Sequence, residues 1–282
     1  MMRPADFKAI AILALLAFPA CSASSEPEPD LPHLVIAGDS TAADYPPERA
    51  PQIGWGQTLA YFMASPAQLD NRAVNGRSLR SFADEGKWNA LLDTLKAGDV
   101  VLISFGHNDS RDDAPERYAD PRTDYPALLE NYVVDVREKD AIPVIVSSAP
   151  RRLWEGPAMV ETHGLYLQAA ETVAEELDVP FVDLARHGLA YFEGIGREAS
   201  KQDYLWHDAG DGHPRFPDGV EDNTHFSELG ACGMAYVLAQ EFADHPSLSG
   251  FIDTAKLSAA EADNDTRPAP VLDCTKATRD AR

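Results

Sequence analysis

Beyond residue 32 the chain alternates short, almost unbroken apolar runs with longer stretches whose apolar residues recur at helical spacing. The strongest runs are HLVIAG at residues 33–38, DVVLISF at 99–105 and IPVIVSS at 142–148. DNRAVN at 70–75 is weaker, and VPFVDL at 179–184 completes a set of five. Runs rich in β-branched residues and lacking polar alternation suit strands covered on both faces, which means a parallel sheet. Helical spacing separates them over residues 55–63, 88–96 (closed by Gly98), 124–139 and 162–177, with 226–242 as the last helix. Strand–helix repetition of this kind predicts an α/β chain, a doubly wound three-layer α/β/α sandwich around a five-stranded parallel sheet. Residues 248–282 are polar and Ala-rich and read as a tail or a loosely packing segment, so the domain is expected over 33–247.

The first twenty residues read as an export signal. Arg3 and Lys8 supply the positive start, and Ile10 to Phe18 is almost wholly apolar but too short for a membrane span. Residues 21–32, polar and Pro-rich, read as a linker with too little apolar content to pack. Two processing routes fit. Cys21, preceded by Ala20, stands where a bacterial lipoprotein cysteine would be lipidated, although Phe18 and Pro19 depart from that pattern. Cleavage after Ala23 by an ordinary signal peptidase is the other. Either way the protein is expected to be exported, as a periplasmic, lipid-anchored or extracellular form.

Composition narrows the partners. Asp plus Glu number 46 against 24 Lys plus Arg, a net charge of -22. That balance argues against nucleic acid, whose phosphates need cationic surface, and leaves a lipid anchor at Cys21 as the only expected tie to a membrane. In an oxidising compartment, Cys232 and Cys274 are economically read as a disulfide. No CxxC or Cys/His cluster suggests a metal, and the acid-rich stretch 109–124 lacks an EF-hand pattern and reads as a solvated loop. No cofactor and no partner subunit is called for, so a monomer is expected.

Three polar motifs sit where the first three strands end, the rim where ligands gather in open α/β sheets. Ser40, in GDSTAA, follows the first; alone it is more plausibly a helix cap than a nucleophile. Gly76, in NGRS, follows the second and can bring a backbone N–H close to a ligand. Asn108, in GHND, follows the third and carries a side-chain amide. With the Ser40 N–H they make three potential oxyanion donors. Further on, Asp222 and His225 in DNTH are three residues apart, able to meet across one turn. The carboxylate would fix the imidazole tautomer and free the other nitrogen to take a serine proton. Each signal is weak alone; four in fixed order at sheet ends are strong together.

The four blocks resemble those of the SGNH (GDSL-type) hydrolases. Beyond them, GDSTAA, NRAVNGRSLRSF, EGKW, ISFGHND, SSAPRRLW and DNTHFSELGA, in order over about residues 33–243, resemble rhamnogalacturonan acetylesterases, the twelfth family of carbohydrate esterases. The resemblance implies a flavodoxin-like sandwich, no cofactor, and removal of acetyl groups from plant cell-wall polysaccharide, pectin or sometimes xylan. It implies Ser40 as nucleophile, His225 as base and Asp222 as its orienter, with Ser40, Gly76 and Asn108 around the oxyanion. The alternatives are another glycan O-deacetylase and, in a different class, a noncatalytic glycan-binding surface protein.

Substrate contacts are less defined. Arg77, Arg151 and Arg152 carry forks suited to uronate carboxylates, but are equally natural salt-bridge partners in an acidic chain. Trp55, Trp154 and Trp206 are candidate sugar platforms or core residues. His107 is expected to shape the GHND loop. Arg77, His107, Arg151 and Trp154 make up the substrate-contact set.

Overall fold

The computed structural model describes residues 31–259 and 267–281. The expected signal segment, Cys21 and the expected linker up to residue 30 lie outside the described residues. The strands among the described residues are β1 (Leu34–Gly38), β2 (Leu69–Asn71), β3 (Val100–Ser104), β4 (Ile142–Val146), β5 (Trp154–Glu155), β6 (Ala158–Met159), β7 (Phe181–Val182), β8 (Tyr204–His207) and β9 (Val220–Phe226). The helices are α1 (Trp55–Leu59), α2 (Leu79–Asp84), α3 (Lys87–Leu92), α4 (Asp124–Arg137), α5 (Leu165–Glu176), α6 (Leu184–Ile195), α7 (Glu228–Asp244), α8 (Thr254–Leu257) and α9 (Ala269–Asp280).

Five strands form one parallel sheet in the order β2-β1-β3-β4-β7. The pleat sends alternate residues to opposite faces, and both faces are covered. Leu34, Ile36, Val100, Leu102, Val144 and Val146 join one core with α1, α6, α7 and α9. Val35, Ala37, Val101, Ile103 and Ile145 join another with α2 to α5. This is the three-layer sandwich, and the near-continuous apolar runs are its signature. The order reverses beside β1, so the crevice beyond the carboxyl ends of β1 and β3 is the switch point of the sheet.

Differences from the sequence reading have local causes. β2 and β7 are short, three and two residues, because they are edge strands paired on one side only. The helix α6 has a strong apolar face and an Asp183 cap whose carboxylate accepts the Arg186 N–H, a start the strand-like VPFVDL run obscured. The DNTH block lies on β9 rather than on a helical turn.

The segment read as a loose tail carries α8 and α9. Val271 and Cys274 are fully buried, and Cys274 is joined to Cys232 of α7 by a disulfide with the Cα atoms 5.9 Å apart. Arg267 meets the buried Asp203 through two parallel bonds of 2.7 Å. Composition hid this packing because α9 buries only one narrow stripe, Pro270, Val271, Cys274 and Thr275.

Candidate active site

The chain turns sharply as it leaves β1. The Asp39 carbonyl accepts the Ala42 and Ala43 N–H groups, and its buried carboxylate accepts the Thr41 N–H and hydroxyl at 2.8 and 2.9 Å. Burial pushes that carboxyl above its ordinary range, against the pull of the Thr41 bonds. Tyr45 donates to the Ser40 carbonyl at 2.8 Å. Asp39 thus holds the turn, and Ser40, 6% exposed, is fixed at the rim.

The other partners come from the β8–β9 hairpin. Its register jumps: Tyr204 faces Phe226, but Leu205 faces Asp222. Asn223, Thr224 and His225 therefore bulge out of the ladder, a device that re-aims side chains. Asp222 closes the bulge, one carboxylate oxygen accepting the Thr224 and His225 N–H groups at 2.8 and 3.0 Å. Its other oxygen accepts His225 Nδ1–H at 2.7 Å, and His225 Nε2 lies 3.0 Å from Ser40 Oγ. Burial alone would raise the Asp222 carboxyl; the bonds from His225 and Thr224 outweigh it and hold it below its ordinary range. Asp222 is thus anionic, the imidazole carries its proton on Nδ1, and Nε2 faces the serine hydroxyl as acceptor.

The donor loops are stitched together. Asn108 Nδ2 donates to the Arg77 carbonyl at 3.1 Å, and Asp109 Oδ1 accepts the Leu79 N–H at 2.9 Å. Two consecutive residues after β3 thus clamp the loop that carries Gly76. That glycine has φ +77, a left-handed conformation glycine adopts without strain. Ser78 caps α2 just beyond it, its hydroxyl accepting the Ser81 N–H. Gly106, at φ +148, leaves room where a Cβ would strike Ser148 Oγ.

The substrate-contact set separates. Arg77 is held by Glu85 at 2.9 Å and by the Asn75 carbonyl. Arg152 is buried: it bonds Ser200 Oγ, the Arg197 carbonyl and Asn223 Oδ1 and lies 4.8 Å over the Trp206 ring. Trp206 donates to Asn223 Oδ1 at 2.9 Å, so both residues brace the bulge. Trp55 is wholly buried in the core, and Trp154 packs partly buried against it. Arg151 stays half-buried at the rim, with Thr162 Oγ1 at 3.2 Å and the His107 carbonyl at 3.5 Å.

His107 is 5% exposed and does not face solvent. Its Nδ1 lies 3.2 Å from His163 Nε2, and His163 Nδ1 lies 2.9 Å from Glu161 Oε1. Burial, then the neighbouring His163, Arg151 and His225, push its imidazole well below the ordinary range, so it is neutral at physiological pH. Glu161 is driven down to about 2: burial opposes, but bonds from the His163 ring and the His163 and Gly164 N–H groups prevail. The sequence reading missed Glu161 and His163; their only signal is an acid two residues before a histidine, a spacing too common to single out.

Residues 36–231 match the model of the GDSL-like lipase/acylhydrolase family. The rhamnogalacturonan acetylesterase RhgT of Bacillus subtilis (strain 168) is 39% identical over 208 residues, 73% of this chain and 88% of that protein. Two solved structures share the fold. The Bacillus subtilis protein YXIM_BACsu superposes with a TM-score of 0.66 at 24% identity, over 78% of this chain and 58% of that one. Axe2, an acetylxylan esterase from Geobacillus stearothermophilus, gives 0.52 at 15% identity, over 77% and 96%.

Proposed function

The chain belongs to the GDSL-like lipase/acylhydrolase family and is a carboxylic ester hydrolase, and from that premise we propose that it removes O-acetyl groups from rhamnogalacturonan through an acetyl-Ser40 intermediate. The observation that carries the serine mechanism is the continuous chain Asp222–His225–Ser40, with links of 2.7 and 3.0 Å. The likeness to RhgT over most of both chains supports the acetylated pectic substrate.

His225 Nε2 takes the Ser40 proton as Oγ attacks the acetyl carbonyl. The oxyanion is received by the Ser40 and Gly76 N–H groups and by the Asn108 amide. One amide hydrogen of Asn108 goes to the Arg77 carbonyl, which orients the group; the second is the donor. Each donor is worth about 3 kcal/mol in the transition state. Protonated His225, held by Asp222, then gives its proton to the departing sugar hydroxyl. Water attacks the acetyl carbon as His225 Nε2 removes its proton; the tetrahedral intermediate then expels Ser40 Oγ, which takes that proton back from His225, and acetic acid leaves, ionising to acetate.

The N-terminal pattern Arg3, Lys8 and Ile10 to Phe18 supports work outside the cytoplasm, as does the Cys232–Cys274 disulfide. A lipid anchor at Cys21 is one of its two processing routes.

The test is direct. Ser40→Ala is expected to lower acetate release from acetylated rhamnogalacturonan by at least about 10³-fold with unchanged thermal unfolding. Rapid acid quenching of the wild type should add one acetyl group to the peptide carrying Ser40. Activity retained in the variant would overturn the mechanism.

A further inference from the structure

The rim carries three arginines, and the fold commits two of them. Arg77 is consumed by Glu85, which Lys87 also approaches at 2.8 Å. Arg152 is buried among neutral acceptors and the Trp206 face. Arg151 differs from both in how weakly it is held: its hydrogen-bond partners are a threonine hydroxyl and a carbonyl at the outer limit of a bond, and, as with Arg152, no carboxylate lies within ion-pair distance among the described residues. Arg72, Arg80, Arg111, Arg186 and Arg279 hold carboxylates, whereas Arg49, Arg137 and Arg215 are held by an amide or carbonyl oxygens instead; what sets Arg151 apart is a half-buried guanidinium beside the site with only two weak partners.

The carboxylates whose charge Arg151 feels most are Asp39 and Glu161. Both are engaged elsewhere: Asp39 by Thr41, Glu161 by the ring and N–H of His163 and the N–H of Gly164. Neither can swing to Arg151 without breaking bonds that hold the rim together. The guanidinium is nevertheless partly stripped of water, and burial lowers its proton affinity. A desolvated cation lacking its own anion favours an anion from outside, and a guanidinium fork matches a carboxylate through two parallel bonds.

Position supplies the rest. Arg151 lies on the loop beyond β4, at the carboxyl edge of the sheet, and touches the carbonyl of His107. His107 immediately precedes Asn108, the proposed oxyanion donor, so an anion on Arg151 would belong to the same bound molecule as the acetyl group. Resting on the function proposed above, we propose that Arg151 binds a uronate carboxylate next to the acetylated sugar and thereby selects acidic over neutral acetylated polysaccharide. Arg77 and Arg152, equal candidates in sequence, do not read the substrate; they are occupied.

The test compares kcat/KM on acetylated rhamnogalacturonan oligosaccharides with kcat/KM on neutral acetylated xylo-oligosaccharides, for wild type, Arg151→Gln and Arg151→Lys. The acidic-to-neutral ratio is expected to fall by about 30- to 100-fold in Arg151→Gln, the loss of a charge-assisted pair. Arg151→Lys should recover part of it, by restoring charge without the fork. The change should lie mainly in KM and should shrink in high salt. A second reading uses Ser40→Ala, which cannot turn over: deacetylated rhamnogalacturonan oligosaccharide should bind it, and bind the Ser40→Ala/Arg151→Gln protein at least tenfold more weakly. A wild-type acidic preference that survives Arg151→Gln, or equal losses on both substrates, would overturn this inference alone. A wild type with no preference for the acidic substrate would overturn the substrate reading and this inference with it.

Discussion

Two acid–imidazole pairs stand at one rim. In Asp222–His225 the carboxylate meets Nδ1 at 2.7 Å and the far nitrogen meets a serine hydroxyl. In Glu161–His163 the carboxylate meets Nδ1 at 2.9 Å and the far nitrogen meets another imidazole, His107. The local chemistry is nearly the same, yet the surroundings differ. His225 sits on a bulge at the surface, about a quarter of its side chain exposed, whereas the His163 side chain is 2% exposed. A base needs a proton source that reacts and room for substrate. His163 has neither, and its buried hydrogen bonds instead brace the residue before Asn108. An acid–histidine pair is therefore no signature of a base until the environment of the second nitrogen is known.

Three experiments probe that contrast. The largest effect belongs to the exposed pair: His225→Gln is expected to lower kcat by at least about 10³-fold on any acetate ester, with the unfolding temperature little changed. A modest loss would remove the distinction between the two pairs.

The braced pair should fail differently. His163→Ala removes the ring that joins Glu161 to His107 and leaves Glu161 only its two backbone N–H bonds, a loss of about 2 kcal/mol in stability. Activity should fall only about tenfold, through a looser Asn108. Urea unfolding and steady-state kinetics on one preparation separate the effects. A loss of activity as deep as that of His225→Gln, with stability intact, would make His163 part of the chemistry.

The smallest effect is the stitch between the donor loops. Asp109 is fully buried, and burial raises its carboxyl to about 7. One oxygen accepts the Leu79 N–H; the other has no partner. The native state therefore keeps a proton that the unfolded chain releases near pH 4. Stability falls as pH rises from about 4 to 7, and the loss is complete above 7. Asp109→Asn keeps the acceptor and removes the titration. Its stability should change less between pH 5.5 and 7.5 than that of the wild type, by about 2 kcal/mol. Equal slopes in chemical denaturation would show that Asp109 does not titrate there.

Much of the site was legible before any coordinates. Ser40, Gly76 and Asn108 each follow an apolar run, and in a parallel sheet every such run delivers its next residues to the same edge. The order of the blocks therefore carries their convergence. The sorting of the arginines was not legible, because Arg77, Arg151 and Arg152 are chemically identical until neighbours are assigned. Glu85 reaches Arg77 from eight residues away, and Ser200 reaches Arg152 from 48. Such pairings leave no mark in local pattern.

The same division runs through the molecule. By itself the sequence determined the alternating strands and helices and the sandwich, and singled out Ser40, Asp222 and His225 as candidates, because periodicity and short motifs are local properties that survive in one dimension. Only the tertiary structure decided that DNTH bulges from a strand, that the C-terminal segment closes as α9 on α7, that His163 meets a second imidazole, and that Arg151 is left without a carboxylate. Each depends on which distant group fills the space beside a side chain, and that is settled by packing.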